Sequence, residues 1–102
     1  MLSKKMLIEI DCCLSDMERG ANILASRSNY ESDVYYALAT EVECARKALP
    51  HLIENGEFIN EEAETLLNEL FWHSASVMRE GGFPFLALHA ERLIPDMFYG
   101  DL

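Results

Sequence analysis

Residues 3–27 read SKKMLIEIDCCLSDMERGANILASR, and their spacing decides the fold class. Apolar or small residues recur at Leu7, Ile10, Leu14, Met17, Ala21 and Leu24, in steps of 3, 4, 3, 4 and 3. A helix turns about 100° per residue, so those steps put all six side chains on one face. Glu9, Asp16 and Arg19 fall on the opposite face. Ser3 stands at the N-cap position, where its hydroxyl can accept from a free N–H of the first turn. Ser26, Ser28 and Asn29 then break the pattern, so the helix is expected to stop near residues 25–27.

The same rhythm repeats further on. Tyr35, Leu38, Val42, Ala45, Leu49 and Leu52 make a second stripe with identical steps. Asn29 or Ser32 can cap it, and Asp33 suits the positive end of the helix dipole. Pro50 lacks an N–H and is expected to kink this helix or end it near Leu49. Asn55-Gly56 reads as a stop. Asn60 is the strongest cap in the chain, with Glu61 and Glu62 behind it. Ala63, Leu66, Leu67, Leu70, Phe71, Ser74, Val77 and Met78 then form a broad face expected to be buried. Gly81-Gly82 ends that helix, and Pro84 suits the first turn of a short fourth. Phe85, Leu86, His89 and Leu93 are expected to line it, and Pro95 to limit it. The tail, residues 96–102, carries Met97, Phe98 and Tyr99 and is expected to fold back on the body. No stretch alternates as a strand does, and the connections are short. The expectation is one all-α domain over residues 1–102. It is an antiparallel bundle of three main helices plus a short fourth.

Composition narrows the partners. The chain has 102 residues, half of them apolar and a quarter charged, which is ordinary for one globular domain. Eight Lys and Arg against eighteen Asp and Glu leave −10, which argues against a generic nucleic-acid-binding surface. No apolar run reaches the roughly 18–20 residues of a membrane span. Glu9 and Asp11 interrupt any signal-peptide core, so a cytoplasmic location is expected. Cys12, Cys13 and Cys44 are an odd set with two adjacent members. They read as reduced thiols packing as small apolar residues.

The common chemical motifs are missing from the sequence. There is no glycine-rich phosphate loop. There is no Glu-x-x-His pair on two helices for a di-iron site and no Cys-x-x-Cys for zinc. Glu69 with His73, and His51 with Glu54, are the two pairs that share a helix face at ligand spacing. Either pair could reach one ion, but His73 reads as partly buried and hydrogen-bonded to Glu69, or merely solvated, rather than as a metal ligand. No strained loop presents a nucleophile. No catalytic residue, metal or cofactor is assigned, and the chain is not expected to be an enzyme.

Two features are less ordinary. Between Ala48 and Met78 there is no Lys or Arg, whereas Glu54, Glu57, Glu61, Glu62, Glu64 and Glu69 all fall there. Such a run is commonly a solvated face, but a field of one sign also draws in a basic partner. The second feature is a pair of aromatic doublets, Tyr35-Tyr36 and Phe71-Trp72. Adjacent helical residues cannot both face one core. Tyr36 instead shares a face with Thr40 and Glu43, and Trp72 lies near Thr65, Asn68, Glu69 and Arg79. The fourth helix or the tail would cover them, or they serve as binding anchors. The candidate partner-binding residues are Tyr36, Glu57, Glu61, Glu62, Glu64, Glu69 and Trp72.

The helix layout between about Met6 and Leu93 has a family likeness. It comprises the start Leu7-Ile8-Glu9-Ile10-Asp11, a second helix from near Asp33 and the start Asn60-Glu61-Glu62. It resembles the small helical immunity proteins that neutralise bacterial type VI secretion effectors, especially NAD(P)-glycohydrolase toxins. The resemblance implies a cytosolic protein that binds a toxin domain and occludes its active site without catalysis of its own. It assigns no site residues. Two other expectations stand beside it: a phage-encoded nucleic-acid mimic or anti-defence protein, and a helical secretion chaperone or assembly subunit. A homodimer is compatible with several of these.

Overall fold

The computed structural model describes residues 1–98: of the expected tail, residues 96–98 continue the fourth helix, and Tyr99 to Leu102 lie outside the described residues. Four helices make up nearly all of it: α1 Lys4–Arg27, α2 Ser32–Leu52, α3 Glu61–Glu80 and α4 Pro84–Phe98. A small hairpin, β1 Ile53–Glu54 with β2 Glu57–Phe58, joins α2 to α3. The helices pack as two pairs, α1 along α2 and α3 along α4. The 42 Å long axis of the molecule follows from the 24-residue α1, which is about 36 Å long at 1.5 Å per residue.

Local chemistry explains most boundaries. Ser3 caps α1, its Oγ accepting from the Met6 N–H at 3.1 Å. Asn60 caps α3, its Oδ1 accepting from the Ala63 N–H at 2.8 Å. The start of α2 differs from expectation. Neither Asn29 nor Ser32 caps it; Glu31 takes the N-cap position without a side-chain bond. The Ser28 hydroxyl instead accepts from the Glu31 N–H at 2.9 Å, which fixes the turn before the helix.

Neither proline ends its helix: the end of α2 near Leu49 and the limit of α4 at Pro95 need correcting. α2 continues through Pro50 to Leu52, and α4 through Pro95 to Phe98. Each proline sits in the last turn, where its missing N–H costs one intrahelical bond and only two or three helical residues follow it. The Ile53 N–H still closes α2 by donating to the Leu49 carbonyl. At 15 residues, α4 is a full member of the bundle rather than a short appendage. Its buried stripe is Ala87, Ala90, Leu93, Ile94 and Met97, whereas Phe85, expected to line it, is 83% exposed.

Asn55-Gly56 is also more than a helix stop. Both residues have positive φ, 55° and 81°, as the two central positions of a type I′ hairpin turn require. The Leu2 N–H donates to the Gly56 carbonyl at 2.6 Å, tying the N-terminus to the hairpin. Phe58 stacks on Phe98 of α4, ring centres 5.6 Å apart, and holds the other side.

The core lies where α1 meets the other helices. Ile10, Leu14, Met17, Val42, Leu67, Phe71, Met78 and Ile94 are fully enclosed. Ser74 is enclosed with them, its hydroxyl without a partner. Each helical pair carries one arginine bridge. Arg46 of α2 meets Glu18 of α1 at 3.2 Å, and Arg79 of α3 meets Glu91 of α4. The Arg79 contact holds the Glu91 carboxyl below its ordinary range. Among the described residues, no helix is long and apolar enough to cross a membrane.

Candidate functional site: a groove between α2 and α3

The two helical pairs leave the seam between α2 and α3 open. α2 and α3 meet only sparsely, while each packs closely on its own partner helix. Between them lies a groove of about 970 Å³. Both helices recede from the hairpin, so the groove begins at Leu52 and Glu61 and runs away from it to Thr40 and His73. Each wall, Thr40 to Leu52 and Glu61 to His73, covers about 18 Å of helix axis at 1.5 Å per residue.

The lining divides by chemistry. Ala45, Ala48, Leu52, Leu66 and Leu70 supply apolar surface. Thr40, Cys44 and Thr65 add small polar groups. Glu41, Glu61, Glu62 and Glu69 supply four carboxylates, with His73 beside them and no Lys or Arg. Among the described residues none of the four carboxylates joins an ion pair. The ion pairs there use Asp16, Glu18, Glu43 and Glu91.

Leu66 marks the clearest departure from expectation. The stripe on α3 placed it in the buried face, but it is 52% exposed. Leu67, one residue on, is completely enclosed. The reason is the open seam: α3 turns two apolar flanks outward, and only the one facing α1 and α4 is covered.

Three of the seven sequence-predicted residues, Glu61, Glu62 and Glu69, come together in this groove. Glu57 is exposed on β2 and Glu64 is partly buried in the first turn of α3; neither lines it. Tyr36 and Trp72 are half exposed, 50% and 52%, and also lie outside the lining. Helical spacing relates them to it. Tyr36 is one turn before Thr40 and two before Cys44. Trp72 lies three residues past Glu69 and seven past Thr65. Tyr36 therefore stands one turn beyond the Thr40 end of the α2 wall, and Trp72 stands beside the last turn of the α3 wall.

Residues missed by the sequence reading are Glu41, Cys44, Ala45, Ala48 and the outward role of Leu66 and Leu70. One signal was present. The α3 apolar set is eight residues wide, from Ala63 to Met78, broader than a single packing partner needs.

The thiols separate clearly. All three cysteines are free, with Cys12 and Cys44 exposed and Cys13 buried. Burial, reinforced by Asp16 and Cys12, pushes the Cys13 thiol up to about 12. Glu69 and His73 share the groove wall, but among the described residues no three His, Cys, Asp or Glu side chains cluster as metal ligands would. No protein-family model, no curated protein and no solved structure matches this chain.

Proposed function

We propose that this chain is a non-catalytic binding protein that captures a basic protein partner on its α2–α3 face. On this reading it acts as an immunity protein or antitoxin, covering the partner's active site. The observation that carries the binding part is the groove. Apolar surface left open between two helices lies under four carboxylates that, among the described residues, have no ion-pair partner and no Lys or Arg beside them in the lining. Leaving Leu66 half exposed has a solvation cost that a bound partner would remove. The carboxylates would speed encounter with a basic surface and select against acidic ones. Tyr36 and Trp72, at the far end of the walls, have the amphipathic character of anchor residues. The inhibitory part draws on the helical layout, which resembles that of effector immunity proteins, and on a helical body 42 Å long whose bulk could cover a cleft.

The test uses the tagged full chain as bait in lysate of the cells it comes from, with washes in low and in high salt. One basic partner in stoichiometric amount is expected, with its activity abolished at one equivalent of this chain. Glu61→Lys with Glu62→Lys should weaken the complex at least about ten-fold. Unchanged affinity when Trp72→Ala is added to that pair would refute the surface assignment. A partner that stays fully active when bound would refute inhibition. Release of the partner by nucleic acid would favour the mimic instead.

A further inference from the structure

We infer that the α2–α3 groove receives a basic amphipathic helix of the partner, about three turns long. This rests on the binding reading above and names the chemistry of the occupant.

Size and shape point to a helix. The walls are each about 18 Å long, the rise of about twelve helical residues. A helix of that length and 10–12 Å diameter, sunk to half its depth, displaces on the order of 700–1,000 Å³. The groove offers about 970 Å³. An added β-strand has nothing to pair with, because both walls are helices whose backbone groups are already bonded. The apolar surface runs lengthwise, through Leu52, Ala48 and Ala45 on one wall and Leu66 and Leu70 on the other. A helix with apolar residues at i, i+3, i+4 and i+7 presents a matching ridge.

Charge selects the sign. Glu61 and Glu62 stand at the hairpin end, and Glu41 and Glu69 toward the other. Lysines and arginines flanking the apolar ridge would meet carboxylates on both sides. A second copy of this chain is a poor occupant. It carries −10 itself, and four of its eight Lys and Arg are engaged with its own acids. Like-signed faces repel.

Cys44 lines the groove, whereas Cys12 is exposed on α1 outside it, so the chain carries its own footprinting pair. The probe is a helix-stapled synthetic peptide of about 14 residues with leucines on one face and lysines and arginines on both flanks. Its affinity is read by fluorescence anisotropy. Alkylation of Cys44 and Cys12 is read by mass spectrometry on the full chain. Binding should slow Cys44 alkylation at least about five-fold and leave Cys12 unchanged. The variant with Glu61→Gln, Glu62→Gln and Glu69→Gln should bind about ten-fold more weakly, and so should Leu66→Gln. Salt-sensitive binding with Cys44 alkylated at its free rate would overturn the groove as the seat, yet leave an acidic binding face intact. No binding, or equal binding of a control peptide with glutamates on its flanks, would overturn the basic helix. Protection of Cys44 that rises with protein concentration alone, together with sedimentation as a dimer, would make the occupant a second copy and overturn the inference.

Discussion

Gly56 meets three demands at once. Its φ is +81°, its carbonyl accepts from the Leu2 N–H, and a Cβ would lie 2.7 Å from the Leu2 carbonyl oxygen. Gly56→Ala should cost about 1–3 kcal/mol in urea denaturation, combining left-handed strain with a backbone clash. Gly82 is the natural control. Its φ is +97° but nothing lies within 4 Å of its Cβ position, so alanine there should cost less, about 1 kcal/mol of strain. Equal losses at both sites would show that the N-terminal contact contributes nothing. The cysteines make a second residue-scale test. Native alkylation at mildly alkaline pH should modify Cys12 and Cys44 and spare Cys13 until the chain unfolds. The Cys13 thiol is raised from 9.0 to about 12, so the folded state favours its protonated form. That contribution is complete below pH 9 and is lost as pH rises toward about 12. The thermal midpoint should therefore fall over that range. Cys13→Ala should flatten part of the fall; Tyr35, raised by its bond to Glu31, supplies some of the remainder.

Among the elements, α1 depends on closeness to its neighbours. A Cβ at Gly20 would stand 2.7 Å from Met78 Sδ and 3.1 Å from Leu86 Cδ1, on α3 and α4. Met78 is completely enclosed and cannot swing away freely. Alanine gains about 1 kcal/mol of helix propensity over glycine, while overpacking costs about 1–3. Gly20→Ala should thus be net destabilising by about 1 kcal/mol, seen as a lower thermal midpoint. An unchanged or higher midpoint would show that Met78 repacks. The starts of α1 and α3 were legible in the sequence because Ser3 and Asn60 act on N–H groups three residues away. The ends of α2 and α4 were not, because a proline in the last turn disturbs little that packing has not already secured. Asn55-Gly56 carried a hairpin signal too, but with strands of only two residues each there was no alternation to expose it.

At the scale of the whole molecule, two adjacent leucines separate the core from the open groove. Leu67→Ala should lose about 2–5 kcal/mol of stability, since it opens a cavity in the core. Leu66→Gln should change stability by less than about 0.5 kcal/mol. A large loss from Leu66→Gln in chemical denaturation would mean that the groove face is itself structural. The sequence alone determined the helical class, the number of helices and most of each buried stripe. Those follow from 3.6-residue periodicity and from capping side chains, which act within one or two turns. It also determined the acidic stretch and that Tyr36 and Trp72 leave the stripe. Only the tertiary structure decided that α3 keeps one apolar flank uncovered and that Glu41 joins Glu61, Glu62 and Glu69. It also decided that α4 is a full helix of the bundle. Which flank of a helix is buried depends on how pairs of helices stand against each other. That is a property of contacts far apart in the chain, and no local spacing encodes it.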